Sequence, residues 1–270
     1  MSYTNIGFIG SGKMAGAIIK GLVKTGFCPA ENIIATQAES SGLKEKSQSL
    51  GVKVINDNKA LVNFSDVIFI ATKPNQVIGV LDEIKPYVNS QKLIVSIAAG
   101  VSLNKLETNL LPKSRVIRVM PNTPALVGEG MSGMIGGEYA SEEDITFVKK
   151  LLLTIGKCIV VETEAQMDIV TAISGSGPAF FYKVINEIAR AGEKLGMDYE
   201  KALLLSIQTA IGSAKMALNR DITMEQLIAN VATKGGCTAV GVDCMNDNNS
   251  ETIFYEVIKN TTEKAHALGQ

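Results

Sequence analysis

Apolar positions follow two different rhythms along this chain. Up to about residue 162 they gather in short continuous runs, such as Asn-Ile-Gly-Phe-Ile at 5–9, Asp-Val-Ile-Phe-Ile-Ala at 66–71 and Lys-Leu-Ile-Val-Ser-Ile at 92–97. Runs without alternation suit strands buried on both faces of a parallel sheet. The pattern predicts strands over 5–9, 31–36, 52–55, 66–71, 92–97, 114–119, 131–135 and 157–161. Helix-length segments at 13–25, 41–50, 74–84, 102–110 and 142–155 separate them, with Gly26 and Gly51 as C-terminal stops and Ser141 as an N-cap. Such β-α alternation predicts a doubly wound α/β domain.

Beyond residue 162 the strand signal stops and helical periodicity takes over. Helices are expected over 164–173, 178–195, 199–218, 224–232 and 251–267. Pro178 suits a first helical position, and Thr223 with Gln226 fits a capping box. The expected fold class is therefore α/β: an N-terminal Rossmann-like doubly wound parallel sheet over 1–162, followed by an all-helical domain over 163–270. A helical half this small and this apolar is expected to bury its surface by dimerising.

Composition narrows the chemistry. Net charge is −1 over 270 residues, so no basic field draws the chain to nucleic acid or to an anionic membrane. No run of about 18 apolar residues predicts a membrane span, and the start of the sequence lacks a signal-peptide pattern, so a cytoplasmic location is expected. None of the cysteines, Cys28, Cys158, Cys237 and Cys244, forms a C-x-x-C pair, and all are expected as thiols. The single histidine, His266, is expected on the exposed face of a last helix. A Ser-His triad and a His-rich zinc site both need a central imidazole, so neither is expected, and no metal site is assigned.

The first strand runs straight into Gly10-Ser11-Gly12-Lys13-Met14-Ala15, a G-x-G-x-x-A turn opening a helix. The first glycine permits the tight turn. The second lets backbone approach a pyrophosphate, and the small third residue lets helix pack on sheet. The helix start adds free N–H groups and a positive dipole end. A turn that only packs small residues is the alternative. At the end of the second strand NAD sites carry an acid for the ribose 2′-hydroxyl. Here Thr36 and Gln37 stand there, and Glu39 lies further on. The missing acid favours NADPH over NADH; a Glu39 contact to the ribose is the alternative. Expected cofactor contacts are Ile9, Gly10, Ser11, Gly12, Lys13, Met14, Thr36, Gln37 and Asn58, then Ala71, Thr72, Lys73, Pro74, Ala98, Ala99 and Gly100 at later strand ends.

Three further segments carry a resemblance. Arg-Val-Met-Pro-Asn-Thr-Pro-Ala-Leu-Val-Gly-Glu-Gly from 118, Ser-Gly-Ser-Gly-Pro-Ala-Phe-Phe-Tyr from 174 and Gly-Gly-Cys-Thr-Ala-Val-Gly from 235 together resemble pyrroline-5-carboxylate reductases. The resemblance spans the whole chain in order. It implies NAD(P)H-dependent reduction of 1-pyrroline-5-carboxylate to L-proline, the last step of proline synthesis. It also implies homodimers assembled into rings such as decamers, and places Asn122 at the nicotinamide end. Glu164, Asn230, Thr233, Gly235, Gly236, Cys237 and Thr238 are implied to face the substrate, Thr238 as the hydroxyl reaching its carboxylate or ring nitrogen. Lys234 and Cys237 depart from the family's Ser-Pro-Gly-Gly-Thr-Thr-like loop. Two readings stand beside this one. A β-hydroxyacid dehydrogenase would use Lys183 and Asn186, although Lys183 lies further past Gly177 than that family's spacing. A non-catalytic dinucleotide sensor would keep the fold alone.

Overall fold

All eight expected strands are present in the computed structural model of the chain, which describes residues 3–219 and 221–269. They are β1 (Ile6–Ile9), β2 (Ile33–Thr36), β3 (Lys53–Ile55), β4 (Val67–Ile70), β5 (Leu93–Ser96), β6 (Arg115–Met120), β7 (Gly130–Gly136) and β8 (Gly156–Val160). They form one sheet in the order β3-β2-β1-β4-β5-β6-β7-β8. All pairings are parallel except β6 with β7, which is antiparallel. The chain order reverses on either side of β1, which creates the switch point where such sheets bind ligands.

The reason the runs are continuously apolar is now visible. Phe8 and Phe69 face one side of the sheet, stacked with ring centroids 4.6 Å apart, while Ile9, Ile68 and Ile70 fill the other. Each fully buried side chain of this size contributes about 1.5–3 kcal/mol. An exposed ion pair such as Lys183 with Glu187 at 2.9 Å contributes about 1 kcal/mol at most. The two faces of the sheet therefore dominate the stability of this part of the chain.

The helices flanking the strands are α1 (Lys13–Lys24), α2 (Leu43–Leu50), α3 (Asn58–Phe64), α4 (Val77–Ile84), α5 (Leu103–Thr108) and α6 (Glu142–Leu152). Of these, α3 was not expected. It is short, capped by the Asp57 carboxylate accepting from Ala60 N–H at 2.9 Å, and buries only Leu61 and Val62. Ser141 caps α6 as expected, accepting from Asp144 N–H at 3.2 Å. At the start of β6 Asp144 is buried against Arg115 at 2.9 Å and also accepts from the Tyr3 hydroxyl. Burial first, and then that bond to Asp144, push the Tyr3 phenol up to about 12.

After β8 come α7 (Glu164–Val170), α8 (Gly177–Lys194), α9 (Tyr199–Ala217), α10 (Met224–Val231), α11 (Cys237–Asp247) and α12 (Ser250–Gly269). Thr223 caps α10 through Gln226 N–H at 3.2 Å. The chain forms two compact units, one running to Ser176 and including the residues from Thr261 on, the other spanning Gly177–Asn260. The expected cut between 162 and 163 falls where the strands stop, yet the first unit continues. Val170 lies so close to β7 that a Cβ on Gly133 would sit 2.5 Å from it, and Met167 is fully buried. In the second unit α8 and α9 pair through small residues: a Cβ on Gly192 would meet Ala202 at 3.1 Å, and Ser206 donates to the Ile185 carbonyl at 2.9 Å. Among the described residues no helix is long and apolar enough to cross a membrane.

Candidate active site

The glycine turn sits at the carboxyl end of β1, between β2 and β4. Gly10 has φ +102°, and a Cβ there would lie 2.7 Å from the Ala71 carbonyl oxygen. The loop crosses the end of β4 with no room for a side chain, so this glycine is needed by the fold itself. Gly12 differs. It is the N-cap of α1, its φ of −70° and ψ of −175° are open to any residue, and a Cβ would meet nothing within 4 Å. No side chain caps α1, and its first turn holds no acid. The free N–H groups of that turn consequently face open space with the positive end of the helix dipole behind them.

Beside this turn lies a recess of about 450 Å³. Ile9, Gly10, Thr36, Gln37, Asn58 and Thr72, all expected cofactor contacts, line it together with Ala38, Asn56, Asp57, Gln76, Val80 and Glu83. The Thr72 hydroxyl is buried without a hydrogen-bond partner. A buried orphan of this kind costs about 1–3 kcal/mol unless something supplies the bond. An uncapped helix start, a crowded Gly10, open space at Gly12 and an orphan hydroxyl together fit a dinucleotide. A second depression of similar volume runs along the other side of α1 between Lys20, Lys24, Lys46 and Leu126. It shares only Gly12 and Lys13 with the expected site, and no strand end opens into it.

The remaining expected contacts are less uniform. Ser11 is buried, while Lys73 and Pro74 are exposed, with Gln76 accepting from Lys73 N–H at 3.3 Å to close the turn. Ala98 is buried, Ala99 exposed, and Gly100 approaches Leu268 near the end of α12. The two amide hydrogens of Gln37 are taken by the Glu39 and Ser41 carbonyls at 3.2 and 2.9 Å. They close the loop after β2 and leave only an acceptor for a ligand.

The stiff Met-Pro-Asn-Thr-Pro segment ends β6 and passes into a 3-10 turn over Thr123–Val127. Asn122 holds it at both sides. Its Oδ1 accepts from Met131 N–H at 2.8 Å, and its Nδ2 donates to the Ser174 carbonyl at 3.0 Å. Ser174 belongs to a π-helical turn, Thr171–Gly175, where a Cβ on Gly175 would lie 2.5 Å from the Met120 methyl. The carboxamide of Asn122 therefore positions the turn. Glu164, at the start of α7, is engaged in the same unit: it pairs with buried Arg118 and accepts from Leu103 N–H at 2.7 Å.

In the second unit Asn230 lies exposed in the last turn of α10. The loop that follows carries Thr233, and Gly235 turns it with φ +77°. Gly236 N–H donates to the Thr233 carbonyl at 2.9 Å, and Gly236 is the N-cap of α11. No side chain caps α11 and no acid stands in its first turn, which begins Cys237-Thr238. The uncapped first turn of α11 thus offers backbone amides where a carboxylate could be held.

Other candidates fall away. Lys183 pairs with Glu187 at 2.9 Å on the surface of α8, and Asn186 accepts from the Tyr199 hydroxyl at 2.9 Å, a bond between α8 and α9 that occupies one of the two residues a hydroxyacid dehydrogenase would need. Burial pushes the Cys158 thiol up to about 11 and raises Cys28 as well, which keeps both protonated at neutral pH. His266 is exposed in part as expected, but its Nδ1 also lies 3.1 Å from the buried carboxylate of Asp168. Glu83 was missed in the sequence. Gln76, Val80 and Glu83 follow at helical spacing across the start and length of α4, and that spacing was the available signal.

The comparisons agree with both halves. A family model described as NADP oxidoreductase, coenzyme F420-dependent, matches residues 5–100, and one described as pyrroline-5-carboxylate reductase dimerisation matches residues 164–268. The pyrroline-5-carboxylate reductase of Methanosarcina acetivorans is 38% identical over 270 residues, covering 100% of both chains. That of Pasteurella multocida is 37% identical, over 99% of this chain and 98% of its own. A solved pyrroline-5-carboxylate reductase from Coxiella burnetii superposes with a TM-score of 0.94 at 31% identity over the full length of both. The Plasmodium falciparum pyrroline carboxylate reductase, solved with NADP bound, gives 0.86 at 32% identity over 99% of this chain and 98% of its own. A glycine turn on β1, a recess at its flank and an uncapped α11 lie within a full-length match of this kind, and the chain belongs to the pyrroline-5-carboxylate reductase family.

Proposed function

We propose that the chain reduces 1-pyrroline-5-carboxylate to L-proline with NAD(P)H. The observation that carries the reading is the pair of uncapped helix starts, α1 beside the recess and α11 after Gly235-Gly236, inside a full-length family match. When bound, the reduced nicotinamide is the source of hydride for the imine carbon, C2 of the pyrroline ring and C5 of the proline formed, and the ring nitrogen takes a proton. The chain's own residues bind and orient. The Gly10–Gly12 turn and α1, with Ile9, Ser11, Lys13 and Met14, receive the pyrophosphate, and Ala71, Thr72, Lys73, Pro74, Ala98, Ala99 and Gly100 at the later strand ends leave space for ribose and nicotinamide. Asn122 keeps the wall at the end of β6 in place through its two bonds. Thr233, Gly235, Gly236, Cys237 and Thr238 receive the carboxylate, supported by Asn230. A cyclic imine can enter already protonated, which suits a chain whose only histidine is next to Asp168. Catalysis then rests on holding donor and acceptor in register. The test is an assay of the purified chain with pyrroline-5-carboxylate and NADPH, following both nicotinamide absorbance and proline. Loss of absorbance with no proline formed would overturn the reading.

The same reading gives NADPH the preference over NADH, because neither Thr36 nor Gln37 carries a carboxylate against a 2′-phosphate. A higher kcat/KM is expected with NADPH, and Thr36→Asp is expected to move the ratio toward NADH. A wild-type ratio below one in parallel steady-state assays would refute this.

Association into at least a dimer, and on to rings such as decamers, belongs to the reading, as does a cytoplasmic location. What supports association is the burial in α8 to α11, where the only buried residues among those described are Gly177, Ala189, Ala202 and Ser206. Leu195 is 90% exposed, Val240 69% and Phe181 68%. So much uncovered apolar surface calls for a partner. Light scattering at micromolar concentration is expected to give a dimer or a multiple of it. A fully active monomer would count against the proposal.

A further inference from the structure

We infer that Glu83 sets how strongly the recess discriminates between NADPH and NADH. The inference rests on the recess being the dinucleotide site. The Thr36 hydroxyl donates to Asn58 Oδ1 at 2.7 Å, and Asn58 Nδ2 donates to Glu83 Oε2 at 2.9 Å. The order of this chain is dictated from its far end. A carboxylate can only accept, so it draws the NH2 of Asn58 to itself; the carbonyl of Asn58 then faces Thr36, and the Thr36 hydroxyl must donate inward. What Thr36 has left for the recess is a lone pair. Gln37 likewise retains only an acceptor, because its two hydrogens close the loop to Glu39 and Ser41.

The wall next to the end of β2 consequently presents acceptors and a negative charge. Asp57 adds a second carboxylate, partly answered by the N–H of Ala60. Among the described residues no lysine or arginine lines the recess. A ribose 2′-hydroxyl can donate to such a wall. A 2′-phosphate cannot, and it brings charge of the same sign. The acid that dinucleotide sites keep at the end of the second strand is missing from this sequence. Glu83, reaching the same place from α4 through Asn58, supplies its effect at longer range and so restrains the preference for NADPH. It is a positioning residue by its bond to Asn58 and a specificity residue by its charge.

The test compares wild type, Glu83→Gln and Glu83→Ala in the full chain. Dissociation constants for NADPH and NADH are read by nicotinamide fluorescence titration at low and high salt, without substrate. Glu83→Gln keeps an acceptor for Asn58 and removes the charge. The affinity ratio is expected to move toward NADPH roughly three- to tenfold, and the shift to shrink as salt is added. Glu83→Ala removes the bond as well, and is expected to weaken NADH while Glu83→Gln does not. Glu83 is exposed, so both variants are expected to fold. An unchanged ratio at low salt in Glu83→Gln, with both cofactors bound, overturns the inference and leaves the proposed function standing. No dinucleotide binding by the wild type overturns the proposed function together with the inference.

Discussion

Gly12→Val is expected to fold as the parent chain does and to lose dinucleotide binding, with Kd raised by roughly a hundredfold or more. The fold has no objection to the new side chain. The backbone at Gly12 is extended, and no atom lies within 4 Å of its ideal Cβ. Valine adopts such a conformation readily, and it narrows the unfolded ensemble relative to glycine. What it fills is the open space in front of the α1 N-terminus, where a pyrophosphate must meet backbone N–H groups. Hydrogen bonds to a charged group are worth about 1.5–3 kcal/mol each, and a factor of ten costs about 1.4 kcal/mol. Displacing two such bonds suffices for the expected loss. Gly10→Ala serves as the contrast. At φ +102°, with a Cβ only 2.7 Å from the Ala71 carbonyl, it is expected to lower stability itself, by about 1–3 kcal/mol. Thermal unfolding and cofactor titration on the two variants separate the roles. Wild-type NADPH affinity in a stable Gly12→Val protein would remove α1 from the binding site.

The contrast between these two glycines was legible only in part. G-x-G-x-x-A after a buried strand announced the turn, and short apolar runs announced the strands, most clearly β1, β4 and β5, where burial on both faces leaves few polar positions to blur them. The reversed direction of β7 was also written in the chain. Only residues 121–129 connect β6 to β7, fewer than a parallel crossover needs. Other features had no local signal. The seven-residue α3 buries too few apolar side chains to show a period. The pairing of His266 with Asp168 joins residues 98 apart in sequence. The place of α7 in the first unit depends on Val170 meeting Gly133, a contact that no window of sequence contains. Site residues divide the same way. Gly10, Gly12, Thr36 and Thr72 follow from strand ends, whereas Glu83 had only its helical spacing from Gln76 and Val80 as a signal, and its place is set once α4 is laid beside the recess. Asn122 was read as a ligand contact, and the two structural bonds of its carboxamide had no signal in any window of sequence.

Thr238→Ala is expected to lower kcat/KM for pyrroline-5-carboxylate roughly ten- to hundredfold, the yield of one hydrogen bond to a charged group at about 1.5–3 kcal/mol. Thr238 is the second residue of α11, partly buried, and the turn before it is shaped by Gly235 at φ +77°. The N-cap Gly236 has no side chain to occupy the first-turn amides. Alanine keeps the backbone N–H, suits a helix better than threonine, and so removes the hydroxyl alone. Where the loss appears identifies what the hydroxyl does. A bond made equally to the substrate carboxylate before and during reaction raises KM and leaves kcat unchanged. A bond that strengthens as charge leaves the ring nitrogen lowers kcat as well. NADPH affinity, titrated without substrate, is expected to stay at its wild-type value, since the glycine turn and recess belong to the first unit and Thr238 to the second. Wild-type kcat and KM in this variant would make the Gly235–Thr238 loop a structural turn and move the substrate elsewhere.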